Sequence, residues 1–284
     1  LEDGPRGVYC GAVGFMHGDR AVFNVAIRTA VVRGVKGVLG VGSGIVWDSD
    51  PGDEFEECLL KARFLTDRDA DLRLIETMRS EEGTIHLLDL HMARLTKSAD
   101  HFGFRVVPAR VRERVREAAG STTGSVKVRL TVGQDGEEEI GVSPLPPLPN
   151  SWNAAISEQR ILSSDPHRRH KTTRRETYDA EYRKAAAAGY DEVLFLNEKG
   201  EVVEGSRSNI VVVKGNSWWT PPLESGALPG VYRQHLMRTR TDLGERVLYI
   251  DDLFEASEVY LCNAVLGLVR AHGQIEAADL HPQV

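Results

Sequence analysis

The sequence predicts an α/β protein of the α+β kind, with a β-rich segment at the front, then a small domain, then a larger one. Three observations carry this. Apolar and β-branched strand patterns recur along the 284 residues, interleaved with segments of helical apolar spacing. A polar, acidic connector, Thr66 to Asp71, follows the first segment. A stiff stretch, Ser143-Pro144-Leu145-Pro146-Pro147-Leu148-Pro149-Asn150, separates the second from the third. The expected units are 1–66, 67–144 and 151–284, with 145–150 as a proline-rich linker.

Taken in order, Gly7 to Phe15 and Ala21 to Val32 read as strands, ahead of the glycine-rich stretch Gly40 to Val46. A helix is expected from Glu54 to Leu65, because Phe55, Cys58, Leu59, Ala62 and Leu65 recur at helical spacing. In the second unit Leu72 to Arg79 reads as a strand, Glu82-Gly83 as a turn and Thr84 to Leu88 as a further strand. The next helix carries Leu88, His91, Leu95, Ala99 and Phe102 on one face and Gly103 beyond its end. Pro108 opens another helix, where its missing N–H costs little, and Gly120 closes it. Val126, Val128, Leu130 and Val132 alternate with polar residues, as in a strand with one buried face. The third unit holds a helix from Glu176 to Ala188 stopped by Gly189, a hairpin from Asp191 to Ile210, and a loop-to-helix junction at Gly226 to Arg233. Val259 to Ala264 is its late strand.

Composition narrows the function classes. With 41% hydrophobic and 27% charged residues the chain is globular rather than disordered or fibrous. A net charge of -7 speaks against nucleic-acid binding but leaves small anionic substrates open, since local pockets matter more than the total. The three cysteines, Cys10, Cys58 and Cys262, are far apart, which suits a reducing cytoplasm and gives no disulfide or zinc framework. No apolar run approaches the roughly 20 residues that cross a bilayer, so no membrane association is expected. Leu1 to Pro5 is not a signal peptide and lacks an initiator Met, so the chain reads as a piece of a longer product. The nine histidines lack metal-ligand spacing, and no metal is expected; Gly42-Ser43-Gly44 does not make a nucleophile elbow.

The chemistry centres on Lys171, in the basic run His167 to Arg175. Such a run reads equally as a solvated charge cluster or a nucleic-acid patch. Downstream, Glu204 follows the hairpin. A lysine and a carboxylate delivered this way are what a pyridoxal-phosphate enzyme needs: the amine holds the aldehyde, and the acid keeps the pyridine nitrogen protonated. Gly230 frees the backbone N–H groups of Val231 and Tyr232 to hold a phosphate at a helix N-terminus. Each residue also has a plainer reading. Glu204 suits an edge-strand surface acid, Asn209 a turn stabiliser, and Arg94, off its helix's apolar stripe, a surface arginine whose planar fork also fits phosphate.

Together, His170-Lys171-Thr172-Thr173, Asp191-Glu192 with Asn197 to Glu201, Glu204-Gly205-Ser206-Arg207-Ser208-Asn209, Thr220-Pro221-Pro222 and Gly226-Ala227-Leu228-Pro229-Gly230 resemble the fold-type IV pyridoxal-phosphate enzymes. That group holds branched-chain and D-amino-acid aminotransferases and 4-amino-4-deoxychorismate lyase. The resemblance implies a two-domain architecture, with Lys171 as the Schiff-base lysine and Glu204 as partner of the pyridinium nitrogen. It implies that Arg94, Val231, Tyr232 and Asn263 hold the phosphate of pyridoxal 5'-phosphate, with Asn209 supporting the site and Thr77 near the reacting atoms. Asn263, where the aminotransferases tend to have a threonine, leans towards the lyase. Glu176, five residues after the lysine, where the branched-chain enzymes have an aromatic, departs from the branched-chain pattern. Arg174 and Arg175 are candidates for steering substrate carboxylates, from their charge and nearness to Lys171.

The first 66 residues resemble something else, the C-terminal end of the chorismate-utilising enzymes. The resemblance rests on Ala26-Ile27-Arg28-Thr29, Gly42-Ser43-Gly44-Ile45-Val46, Asp48-Ser49 with Pro51, and Glu54-Phe55-Glu56-Glu57 followed by Lys61. It implies a vestigial chorismate site in which Arg28 and the Gly44 backbone bind a carboxylate, Glu57 a magnesium ion, and Tyr9 and Lys61 line the pocket. The rest of that domain is absent, so no complete synthase site is expected. The two resemblances together imply a folate-pathway lyase that turns aminodeoxychorismate into 4-aminobenzoate and pyruvate. They also imply a homodimer and, for a full-length synthase, a glutamine amidotransferase subunit. An aminotransferase on the same scaffold and an inactive remnant are the alternatives.

Overall fold

The structure, a computed structural model, describes residues 5–27, 29–34, 36–66, 72–145, 147–271 and 276–277. Arg28 and the connector at 67–71 lie outside the described residues. The chain divides into two compact units, Leu1–Ala70 and Asp71–Val284. Among the described residues no helix is long and apolar enough to cross a membrane.

The first unit holds two hairpins and a helix. Strands β1 (Ala12–His17) and β2 (Arg20–Val25) pair in one, β3 (Ala30–Arg33) and β4 (Lys36–Leu39) in the other, and α1 spans Pro51–Thr66. The strand expected from Ala21 to Val32 is therefore two strands in separate sheets. Ala26 still belongs to the first hairpin, exchanging backbone bonds with Gly11 and Cys10, and Ile27 N–H then folds back to the Val25 carbonyl. Alternating apolar residues cannot mark such a break, because they continue through it. On the expected apolar face of α1, Phe55 is 63% exposed and Leu59 is exposed, while Cys58 and Ala62 are half-buried, and Ala26 is the single buried hydrophobic residue of the unit among those described. The segment has strands and a helix without a core of its own.

The second unit starts with an antiparallel sheet ordered β6-β5-β7-β8, built from β5 (Leu74–Glu81), β6 (Thr84–Ile85), β7 (Ser125–Val132) and β8 (Glu138–Pro144). Helices α2 (Leu88–Phe102) and α3 (Pro108–Gly120) cover one face, where Leu74, Met78, Val128 and Leu130 meet Met92, Leu95, Val111 and Val115. The expected strand Thr84 to Leu88 is cut short because Leu87 takes a left-handed conformation (φ 55°) and turns the chain into α2. The opposite face presents Thr77, Lys127 and Arg129, with Thr77 and Arg129 opposite one another in register.

The remainder comprises β9 (Ser151–Trp152), β10 (Ala154–Ile161), α4 (Glu176–Ala187), β11 (Glu192–Asn197), β12 (Val202–Gly205), β13 (Asn209–Lys214), β14 (Ser217–Thr220) and α5 (Val231–Thr239). β15 (Leu243–Glu245), α6 (Ile250–Phe254), β16 (Glu258–Asn263), β17 (Gly267–Ala271) and β18 (Glu276–Ala277) complete it. Two sheets form, ordered β12-β11-β10-β18 and β15-β14-β13-β16-β17-β9. β11 is buried along its whole length because both faces are covered. Leu194 and Leu196 join Ile210, Val212 and Leu261 of the second sheet, while Val193 and Phe195 meet Ala185 of α4.

One contact between the two halves of this unit sets the site. The Ile75 N–H donates to the Lys171 carbonyl (2.8 Å), and the Thr173 N–H donates to the Arg73 carbonyl (2.9 Å). The Arg73 N–H in turn donates to Thr173 Oγ1 (3.0 Å). The lysine loop is thus laid along the first residues of β5.

Candidate active site

Lys171 follows a short 3₁₀ turn, Pro166–Arg169, capped by the Asp165 carboxylate, which accepts from the His167 N–H at 3.0 Å. The ring of His170 is buried, stacked on His101 at 4.3 Å and paired with Ser98 Oγ at 2.9 Å, so the residue before the lysine is anchored on α2. Lys171 itself opens into a cavity of about 670 Å³ lined from both halves of the second unit. Burial, with Arg94 and Arg175 nearby, lowers its pKa to about 7, against the opposing pull of Glu76 and Glu204. A neutral amine at this depth is a nucleophile and a base.

Glu204 lies within β12, the edge strand of its sheet, rather than past the end of its strand, and it is buried, which overturns the surface-acid reading. Register places it opposite Phe195. Oε1 accepts from the Tyr178 hydroxyl (2.6 Å), and Oε2 from the Leu228 N–H (2.9 Å) and Asn209 Nδ2 (3.3 Å). Burial raises the Glu204 pKa, while Tyr178, the Leu228 N–H, Arg168 and Lys171 restrain the rise. Such a carboxylate can hold or share a proton with a ring nitrogen.

The turn between Glu204 and Asn209 is held by a second buried acid. The Glu192 carboxylate accepts from the backbone N–H groups of Ser206 (3.1 Å) and Arg207 (3.2 Å), and from the hydroxyls of Ser208 (2.8 Å) and Ser206. Asn209 does more than brace a turn, since its Nδ2 also donates to the Leu228 carbonyl at 3.0 Å. A Cβ on Gly230 would lie 1.8 Å from Asn209 Oδ1, so any larger residue here forces Asn209 to move. The constraint brings the first turn of α5, with the unpartnered N–H groups of a helix start, to the cavity wall through Gly230 and Val231.

The other expected residues gather here as well. Asn263, at the end of β16, lines the cavity, its Oδ1 accepting from the Val265 (3.0 Å) and Leu266 (2.9 Å) N–H groups. Thr77 and Arg174 line it too. Arg175 also lines the cavity but gives Nη2 to the Ser206 carbonyl (2.7 Å) and Nε to Asp179 (3.3 Å). Tyr232 is not among the described residues that line the cavity, so the structure brings Val231 but not Tyr232 to its wall. Arg94 is not a surface residue. It is buried because Glu76, on the helix-facing side of β5, draws it inward.

Sequence reasoning gave no site role of their own to Glu76, His91, Glu192, Arg168 or Tyr178. For Glu76 a signal existed: an acid sharing strand parity with buried Leu74 and Met78 demands a partner. For Tyr178 there was none, because only the packing of α4 on β11 brings it to Glu204. In the first unit, Lys61 Nζ pairs with Glu57 (2.7 Å) and donates to the Gly42 carbonyl (3.0 Å), and the Tyr9 ring packs on Gly40 and Gly42. Gly44 is exposed and stands apart from that cluster.

Residues 73–273 match the family described as amino-transferase class IV. The chain belongs to the class IV aminotransferase family. Residues 1–67 match the chorismate binding enzyme family. Among curated relatives, the "Probable branched-chain-amino-acid aminotransferase" of Thermotoga maritima is 30% identical over 68% of this chain and 74% of its own length. The "Putative aminodeoxychorismate lyase" of Schizosaccharomyces pombe is 26% identical over 64% and 82%. The "Aminodeoxychorismate synthase" of Streptomyces griseus is 46% identical over 27% of this chain, which spans a tenth (10%) of that synthase. Among solved structures, a "Putative amino-acid aminotransferase" from Mesorhizobium loti superposes with a TM-score of 0.68 at 32% identity, covering 71% of this chain and 99% of that one. A PLP-bound hypothetical aminotransferase from Mycobacterium tuberculosis gives 0.65 at 25% identity, covering 70% and 80%.

This class IV member is accordingly a fold-type IV, pyridoxal-phosphate-dependent enzyme. Its residues fit the cofactor. A deprotonatable lysine, a buried carboxylate with a free lone pair and an open helix start all meet in one cavity of sufficient size.

Proposed function

We propose that this enzyme is a lyase that converts 4-amino-4-deoxychorismate to 4-aminobenzoate and pyruvate. The observation that carries the reading is the charge of the cavity wall. Lys127, Arg129, Arg168 and Arg174 line it in addition to Lys171 and Arg94. Such a wall suits a substrate with two carboxylates better than the aliphatic side chain of a branched-chain amino acid. The likeness to an aminodeoxychorismate lyase, and a front segment similar to a synthase of the same substrate, support it.

Bound pyridoxal phosphate supplies an electron sink for proton loss at the amine-bearing carbon. The chain's own residues do the rest. The N–H groups of Val231 and Tyr232, with Arg94 and Asn263, would hold its phosphate, and Glu204 would keep its ring nitrogen protonated. Lys171 takes the proton from the amine-bearing carbon. The neighbouring C–O bond then breaks, enolpyruvate departs and collects a proton to become pyruvate, and the substrate ring becomes aromatic. Arg174 and Arg129 orient the carboxylates, Arg175 being partly engaged by Ser206 and Asp179. Thr77 stands beside Arg129 at the same wall.

The same reading takes 67–144 and 151–284 as small and large domains joined by 145–150, and the working form as a homodimer. It treats residues 1–66 as part of a synthase domain that acts only with the rest of that domain and its glutamine amidotransferase subunit. The decisive experiment supplies aminodeoxychorismate to cofactor-loaded protein and follows 4-aminobenzoate fluorescence. No product would sink the lyase reading. A keto acid formed from an amino acid would favour the transaminase that the Thermotoga maritima relative represents.

A further inference from the structure

We infer that Glu76, backed by His91, is a positioning residue that aims Arg94 at the phosphate of the cofactor. The inference rests on Arg94 being a phosphate ligand, as proposed above.

α2 delivers His91 and Arg94 three residues apart, on one side of the helix, to a single carboxylate on β5. Arg94 Nε donates to Glu76 Oε1 (2.9 Å) and Nη2 donates to Oε2 (2.5 Å). His91 Nδ1 meets Oε2 at 2.6 Å. The three side chains are buried: Glu76 is 1% exposed, His91 0% and Arg94 8%. A bidentate grip on the Nε edge fixes the guanidinium plane. Nη1 makes no hydrogen bond among the described residues, and Arg94 lines the cavity.

The histidine completes the arrangement. Burial lowers the His91 pKa, so the ring is neutral. With Nδ1–H donating to Glu76, the buried Nε2, which has no partner, is a bare lone pair rather than a stranded donor. Arg94 is then the cation that hydrogen-bonds Glu76, and the carboxylate also acts on Lys171 through its charge. Burial alone would raise the Glu76 carboxyl, but Arg94 and His91 hold it at about 2, so it stays ionised throughout the working range.

The rival is a core ion pair with no functional reach. Buried pairs replaced by apolar residues often cost little stability, so stability alone is a weak reason to keep this one. Its location gives a better reason, because the cluster ends at the cavity wall that carries Val231 and Asn263.

The test compares pyridoxal phosphate with pyridoxal, which lacks the phosphate, as ligands of cofactor-stripped wild-type protein, Glu76→Gln, Arg94→Ala and the double variant. Glu76→Gln is expected to weaken pyridoxal phosphate by about 10- to 100-fold, the usual effect of losing a group that orients a ligand-binding side chain, and to leave pyridoxal nearly unchanged. The double variant should bind no more weakly than Arg94→Ala. Glu76→Asp, which keeps the charge and supports folding if Glu76→Gln does not, should recover part of the phosphate preference. An unchanged preference in Glu76→Gln overturns the inference, as does an equal loss for both ligands, which would mark a structural role. An unchanged preference in Arg94→Ala would instead remove the phosphate-ligand reading beneath it.

Discussion

The Tyr178 hydroxyl donates to Oε1 of Glu204 across 2.6 Å, from a ring held edge-on to Phe195 (4.7 Å) and beneath the guanidinium of Arg168 (5.0 Å). Both partners are enclosed, and burial raises the pKa of each. A hydrogen bond to a charged group in this setting is worth about 1.5–3 kcal/mol. Donors to a carboxylate favour its ionised form, so Tyr178→Phe should raise the Glu204 pKa further. The acidic limb of the pH–rate profile should move to higher pH, and turnover at neutral pH should fall by about tenfold. An acidic limb that stays in place would show that Tyr178 does not govern Glu204.

Glu204→Gln removes the charge while keeping the shape. Turnover should fall by about 100-fold or more, the scale of one acid–base group. Lys171 would remain, so borohydride should still fix the cofactor covalently to the variant. Mass spectrometry checks this against Lys171→Ala, which should show neither the adduct nor turnover.

The Lys171 pKa of about 7 predicts the pH dependence of cofactor capture. Only the neutral amine attacks an aldehyde, so the rate of uptake by cofactor-free protein should climb as pH rises through about 7 and then level off. The stability consequence has a definite sign. Between about 7 and the ordinary 10.5 the unfolded chain binds more protons at this residue than the folded one, so cofactor-free protein should gain stability as pH rises across that window. A flat uptake profile between pH 6 and 8, measured by stopped-flow absorbance, would contradict the neutral lysine (these pH values being about one either side of its pKa).

Gly230→Ala tests the start of α5. The new methyl group would sit 1.8 Å from Asn209 Oδ1, and Asn209 could yield only by giving up Leu228 or Glu204. Overpacking of this kind costs about 1–3 kcal/mol. A lower melting temperature and weaker pyridoxal phosphate binding, by fluorescence titration, are expected together.

Removing the first unit should leave the site intact. Every described residue that lines the cavity falls between Ile75 and Leu266, and the unit break lies at Ala70. A chain of residues 71–284 is expected to keep cofactor binding and turnover close to those of the parent. Loss of binding in a truncated chain with an unchanged melting curve would show that the first unit contributes to the site.

The sequence by itself determined which chemistry this protein carries. Lys171, Glu204, Asn209 and the Gly230 junction occur in order, at a spacing that a helix and a hairpin can deliver to one place. The helices from Pro108 to Gly120 and from Glu176, and the alternation of Val126 to Val132, were legible because a single period fixes which face is buried. Residues that act through a distant partner were not. Glu76 meets Arg94 across a strand and a helix, Tyr178 meets Glu204 across a helix and a sheet, and Glu192 braces a turn from the neighbouring strand. The same holds for the break after Ala26 and for Phe55 and Leu59 of α1, exposed where local pattern promised burial. Periodicity records which way a side chain points. Only the closing of the chain decides what it meets, and at buried charges that meeting sets both protonation and aim.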